Sequence, residues 1–176
     1  MKSKKQILAK DKKFLWHPFT QSSSSGDPII IISAKDEKLF DIEGKEYIDL
    51  ISSWWINTHG HCRNEMVNSV FNQSKKFEQV LFAGFTHYPA VDLAARIVDI
   101  LPKNLSRVFY SDNGSTSVEV AMKVAIQYWH NIGKKKTKFI AFSGGYHGDT
   151  FGAMSVGKTT GFYKPFEEIL HKNYFI

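Results

Sequence analysis

The 176-residue sequence contains a single cysteine, Cys62, which excludes an internal disulfide and fits a reducing compartment. It also lacks any run approaching the ~20 consecutive apolar residues of a membrane helix; the apolar run at 29–32 is only strand-sized. A secretory leader is not expected. Met1-Lys2-Ser3-Lys4-Lys5 is basic, but Lys10, Asp11, Lys12 and Lys13 follow it where an apolar segment would be needed. The expectation is a cytoplasmic protein with no membrane partner.

Arginine is scarce too, which bears on the formal charge of +6. A nucleic-acid surface needs clustered cations, and arginine is the better reader of bases and phosphates. Here the lysines are dispersed among acids, and the only compact run is Lys134-Lys135-Lys136. A solvated surface accounts for this pattern, and no nucleic-acid partner is expected. His59, His61 and Cys62 could tempt a metal, but their spacing matches no zinc pattern and no second pair completes a tetrahedron. No metal site is expected.

What is present is a hydrophobic content of 43%, enough to bury a core, and a high aromatic share of 14%. Length alone suggests one domain. Residues 1–28 are polar apart from an aromatic knot, Phe14-Leu15-Trp16-His17-Pro18-Phe19. Short apolar runs at 29–32, 38–41 and 46–50, separated by polar and glycine-containing breaks, predict an antiparallel meander. Helical periodicity then appears over 65–79 and over 89–101, the second opened by Pro89 and closed by Pro102. Strand 107–111, helix 116–131 and strand 138–142 read as a parallel βαβ crossover, the start of a doubly wound α/β domain. The apolar sides of the 116–131 helix predict that it is buried, with Glu119, Lys123 and Gln127 as its polar stripe and Thr116 with Glu119 at capping-box spacing.

Between that first strand and helix stands Asp112-Asn113-Gly114-Ser115. Ligands of open α/β sheets bind beyond the carboxyl ends of the strands, where a helix amino terminus offers unpaired N–H groups and a positive dipole end. Gly114 permits close backbone approach and Ser115 adds a hydroxyl to the amide donors. Spacing alone leaves two readings open, an ordinary turn with a helix cap or an anion site.

Five blocks decide between them. Trp16-His17-Pro18-Phe19-Thr20-Gln21, Ser53-Trp54-Trp55 followed by His59-Gly60, Phe85-Thr86-His87, Ser111-Asp112-Asn113-Gly114-Ser115 and Gly145-Tyr146-His147-Gly148-Asp149-Thr150 together resemble the adenosylmethionine-8-amino-7-oxononanoate aminotransferases. These form the biotin-biosynthesis branch of the class III aminotransferases. The last two blocks are shared across class III, whereas the first two point to the biotin branch. The resemblance runs over essentially the whole chain from Phe14 and covers the amino-terminal part of the family's longer chains.

The resemblance implies the type I fold of pyridoxal-phosphate-dependent transferases, like that of aspartate aminotransferase, present incompletely. Residues 1–60 would form an arm and small-domain β-meander, and residues 61–176 the first part of the large cofactor-binding α/β domain. It further implies that Gly114 and Ser115 bind the phosphate of pyridoxal 5'-phosphate, that Tyr146 stacks on the cofactor ring near the substrate, and that Trp54 walls the substrate pocket. Phe19 belongs to the arm that recognises donor and acceptor; the family often has tyrosine there, so any hydrogen bond given to that phenol is lost here. Asp149 matches a residue near the substrate, or equally caps a short helix. Trp55 is a core candidate.

The implied reaction transfers an amino group from S-adenosylmethionine to 8-amino-7-oxononanoate, giving 7,8-diaminononanoate, in a homodimer. No catalytic residue falls in this chain by resemblance: the Schiff-base lysine, the aspartate paired with the pyridine nitrogen and the carboxylate-binding arginine lie beyond Ile176. Lys123 sits on a polar helix stripe and Lys158 in a loop, so neither substitutes. The expectation is a truncated chain or fragment, inactive by itself. Rival readings are another class III omega-aminotransferase, a non-catalytic module, and a P-loop-like nucleotide-binding protein suggested by Gly152-Ala153-Met154-Ser155-Val156-Gly157-Lys158-Thr159, although neither a preceding strand nor a clean following helix supports the last.

Overall fold

A computed structural model describes residues 3–157 and 161–176. The chain divides into two compact units, Met1–Thr86 and His87–Ile176. Among the described residues no helix is long and apolar enough to cross a membrane.

The first unit opens with α1 (Lys4–Phe14), which the polar composition did not announce. Its start is specified by a capping box: the Gln6 amide donates to Ser3 Oγ and the Ser3 amide donates back to Gln6 Oε1. The predicted meander then forms as β1 (Ile31–Lys35), β2 (Lys38–Asp41) and β3 (Glu46–Ile48), antiparallel in the order β1-β2-β3. Asp41 holds the β2–β3 turn by accepting from the Glu43 and Lys45 amides and the Tyr47 hydroxyl. Burial pushes its carboxyl pKa up, but those three donors outweigh burial and keep it below the ordinary value. After β3 come the four-residue turn α2 (Ser52–Trp55) and α3 (Asn64–Ser74). The latter ends five residues before the periodicity does.

The second unit begins with α4 (Tyr88–Ile100), where Pro89 occupies the first turn as expected. The long helix α5 (Gly114–Asn131) follows, then β4 (Ile140–Ala141), α6 (Phe151–Val156), a 3-10 helix (Lys164–Ile169) and β5 (Tyr174–Phe175). The sequence-based crossover is displaced by one step. Residues 107–111 form no ladder among the described residues, and the parallel pair is β4 with β5, joined through α6. Apolar alternation marks a strand, but a strand also needs a neighbour to receive its N–H and C=O groups. The β4–β5 pair has that neighbour, with Ile140 opposite Tyr174 and Ala141 opposite Phe175.

The buried apolar core of the described residues is small and centres on α6: Ala153, Met154 and Val156, with Tyr163 beside them. No residue of α5 is buried, contrary to its apolar sequence. Only one stripe of that helix is covered, by α6, and Val124 and Tyr128 stand more than half exposed.

Candidate functional site

The amino end of α5 is built by side-chain capping. The Thr116 amide donates to Asn113 Oδ1 at 2.9 Å, and the Asn113 amide donates to Thr116 Oγ1 at 3.2 Å. The capping box is therefore Asn113 with Thr116, not Thr116 with Glu119, and the helix starts two residues earlier than its periodicity suggested. Gly114 and Ser115 become its first two positions, whose amides have no carbonyl acceptor within the helix. A helix of 18 residues directs its positive dipole end at that spot. Where a Cβ would stand on Gly114, no atom of the described residues beyond its chain neighbours and its own helix backbone lies within 4 Å, so the glycine leaves open space beside the donors. Behind them, hydrogen bonds from Thr116 and from its own amide outweigh burial and keep the Asp112 carboxyl below its ordinary pKa.

Residues 144–150 cross this helix end. The Asp149 amide donates to Ser115 Oγ at 3.3 Å, and Gly148, at φ +114°, rests against Ser115 so closely that a Cβ there would lie 1.9 Å from Ser115 Oγ. The Tyr163 hydroxyl donates to the Gly148 carbonyl. Tyr146 donates to Asp149 Oδ2 at 2.8 Å, and this bond, with burial and the carboxylate's charge, raises the phenol pKa. Four sequence-derived candidates, Gly114, Ser115, Tyr146 and Asp149, thus come together in the second unit. Asp149 is not a helix cap: α6 begins after Thr150, and the Asp149 carboxylate is turned to Tyr146.

Glu119, which sequence places on a polar stripe and at capping-box spacing from Thr116, instead locks the assembly. Its Oε1 accepts from Thr150 Oγ1 at 2.6 Å and from the Gly152 amide at 2.8 Å, capping α6 and tying the loop's far end to α5. A Cβ on Gly152 would fall 2.1 Å from Glu119 Oε2. No local spacing could reveal this, because the partners stand 31 and 33 residues away.

The remaining candidates, Phe19 and Trp54, meet within the first unit. Their rings stack with centroids 5.8 Å apart and planes 18° off parallel, while Trp54 is 62% and Phe19 75% exposed. Trp55 is not core; it is three-quarters exposed. The backbone beneath them is left-handed from Ser52 to Trp55, with φ of 49°, 45°, 67° and 76°, and Phe19 has φ 50°. Side-chain-bearing residues avoid this region at about 1–2 kcal/mol each.

Asp49 and His61, neither singled out as a site residue, underlie this turn. Asp49 Oδ1 accepts from the Ser53 amide at 2.8 Å, and Oδ2 accepts from the Ser53 hydroxyl at 2.7 Å and pairs with His61 Nε2 at 2.8 Å. The Ser53 amide, the Ser53 hydroxyl and His61 together lower the Asp49 pKa to about 2. A signal for the first bond exists in sequence: an aspartate four residues ahead of a serine suits local side-chain capping. His59 bonds Thr58 instead, so the histidine pair does not converge. In the P-loop-like pattern, Gly152–Val156 is buried within α6 and its neighbourhood, not an open loop, while Lys158 and Thr159 lie outside the described residues.

Comparison with known proteins bears on the family and the fold. Residues 20–176 match the Aminotransferase class-III family. The chain is 51% identical over 156 residues to an adenosylmethionine-8-amino-7-oxononanoate aminotransferase of Synechococcus elongatus, covering 89% of this chain and 37% of that protein. Among solved structures, the same-named enzyme of Methanocaldococcus jannaschii superposes with a TM-score of 0.93 at 41% identity, over 98% of this chain and 40% of that one. An omega transaminase of Pseudomonas jessenii in complex with PMP gives 0.89 at 25% identity, over 97% of this chain and 38% of that one. The chain therefore spans under two-fifths of the length of the curated relatives first matched.

Proposed function

This chain belongs to the class III aminotransferase family, with the type I transferase fold present in part, and on that premise we propose that it supplies half of a pyridoxal-phosphate site used in biotin synthesis. The reaction is amino transfer from S-adenosylmethionine to 8-amino-7-oxononanoate, in a cytoplasmic homodimer. Residues 1–60 serve as arm and small-domain meander, and 61–176 as the first part of the cofactor domain.

The observation that carries this reading is the α5 amino terminus. Unpaired first-turn amides at Gly114 and Ser115, the Ser115 hydroxyl and open space beside Gly114 fit a phosphate dianion. Pyridoxal phosphate, when bound, supplies an electrophilic carbonyl and an electron sink. The chain's own part is to hold and orient. Gly114 and Ser115 fix the phosphate end, and Tyr146, held by Asp149, offers a ring face to a planar cofactor. Tyr146 donates its phenol proton to Asp149 in a hydrogen bond, and that bond raises the phenol pKa. Trp54 and Phe19 offer apolar faces suited to a long aliphatic substrate. None of these groups is given a proton transfer at the reacting carbon.

The test is reconstitution of the intact protein with pyridoxal phosphate, followed by assay for 7,8-diaminononanoate from the two substrates. Turnover is expected, with weaker cofactor retention in Ser115→Ala. Cofactor binding indifferent to both Ser115→Ala and Gly114→Val would sink the phosphate assignment. The likeness to the Pseudomonas jessenii enzyme favours a second reading, a broader omega-aminotransferase. Amino transfer to other ketones but not to 8-amino-7-oxononanoate would select it.

A further inference from the structure

Asp49 sits outside every role given so far. Its side chain is only 5% exposed, and while its backbone amide donates to the Glu37 carbonyl at the end of the β2–β3 ladder, its carboxylate is spent on Ser53 and His61. We propose that Asp49 is a positioning residue for the substrate pocket: it holds the Ser52–Trp55 turn left-handed and so aims Trp54 at Phe19 and at the apolar chain of the substrate. The inference rests on the reading of Trp54 as a pocket wall.

Four consecutive side-chain-bearing residues at positive φ do not persist by local preference. Backbone bonds from Trp55 to the Ile51 carbonyl and from Ile56 to the Ser52 carbonyl close the turn, but a turn of the opposite hand can make the same i to i+4 pairings. Ile51 contributes no side-chain cap. The hand is therefore chosen by something that reads Ser53 from outside the turn. Asp49 does this by gripping both the amide and the hydroxyl of Ser53, which fixes the backbone and the side-chain direction together. His61 then fixes Asp49, and the Asp36–His61 bridge fixes the histidine's own backbone. Reversing the hand at Ser53 and Trp54 would send the Trp54 Cβ to the other side of the chain and dissolve the stack with Phe19.

A second point concerns exposure. Two large aromatic rings stacked at 5.8 Å and left mainly uncovered contribute little burial to the unit. Strained backbone supporting an exposed aromatic pair fits a surface kept ready for a ligand, since strain concentrates where a ligand must be met by a fixed shape.

The experiment uses the intact protein labelled with 5-fluorotryptophan, the Trp54 resonance being identified by its loss in Trp54→Phe. Asp49→Ala should move that resonance toward its unfolded-chain position and raise KM for 8-amino-7-oxononanoate on the order of tenfold, with kcat changed by less than about twofold. Asp49→Asn, which keeps one acceptor for the Ser53 amide, should fall between. Adding Ser53→Gly to Asp49→Ala should restore part of both signals, because glycine takes up positive φ without steric cost. That double variant also serves if Asp49→Ala alone does not fold. An unmoved Trp54 resonance in Asp49→Ala, or no recovery with Ser53→Gly, overturns the proposal. If the wild-type protein does not turn over 8-amino-7-oxononanoate, the proposed function fails, while the fluorine signal still decides what Asp49 does.

Discussion

Backbone at positive φ is distributed very differently in the two units. In the second, residues of this kind are glycines: Gly133, Gly144, Gly148 and Gly161. In the first, Phe19, Asp36, Ser52, Ser53, Trp54, Trp55 and Cys62 adopt it as well, and these are all of the non-glycine cases among the described residues. The phosphate cradle is thus made from conformations its residues prefer, a capped helix and glycine turns, and needs little enforcement. The aromatic pair stands on backbone its residues disfavour and depends on a nearly buried carboxylate to keep it there. The cradle rests on backbone preference, whereas the aromatic pair rests on a carboxylate that Ser53 and His61 hold in place.

The sharpest way to break this contrast is to put a side chain where the second unit uses glycine. Gly148→Ala should destabilise by about 2–4 kcal/mol, because the new Cβ meets Ser115 Oγ, Cβ and Cα and the backbone sits at φ +114°. Urea unfolding with parallel pyridoxal-phosphate titration checks it, and the cradle should lose cofactor affinity in step with stability. Glu119→Ala comes next, at about 1–3 kcal/mol, through two donors left without their acceptor at Thr150 and Gly152. Glu119→Gln keeps an oxygen for the Gly152 amide and should recover more than half of that loss in the same measurement.

Acid should act on the first unit through Asp49. Its folded pKa of about 2 lies below the ordinary 3.8, so the stability it contributes is fully present above about pH 4 and is lost as pH falls through 2. Following the Trp54 fluorine resonance from pH 6 to 2 should show the turn loosening in that window, and Asp49→Asn should abolish the dependence. The smallest effect belongs to the stack itself. Phe19→Leu should cost about 0.5 kcal/mol, the low end for an aromatic pair because both rings are largely exposed, and Phe19→Tyr should be close to neutral in thermal unfolding.

The meander was legible because its apolar runs alternate with polar breaks and its turns are local, so register follows from spacing over a few residues. Helix α4 was legible from Pro89 and a period of 3.6. The amino end of α5 was legible as a place, though not in detail: Thr116 was given to the wrong capping partner, since Asn113 ahead of it competes for the same backbone groups. Strand 107–111 was expected from composition and is not paired among the described residues, which shows the limit of reading strands without their neighbours. The roles of Glu119 and His61 in the fold are not legible in sequence, because a polar residue looks the same there whether solvated or bonded to a distant partner.

The sequence by itself determined which residues could serve: glycine and serine at a helix start, an aromatic knot in the arm, a Gly-Tyr-His-Gly loop, and family membership through five ordered blocks. Those are matters of side-chain chemistry and near-neighbour preference, and both are written in local order. Only the tertiary structure decided that Gly148 must press on Ser115 across 33 positions, that Glu119 caps a helix 31 or more residues away, and that His61 comes back to hold the Asp49 carboxylate. Each of these pairs groups whose meeting depends on chain path, and each overrides or completes what the local residues would do alone.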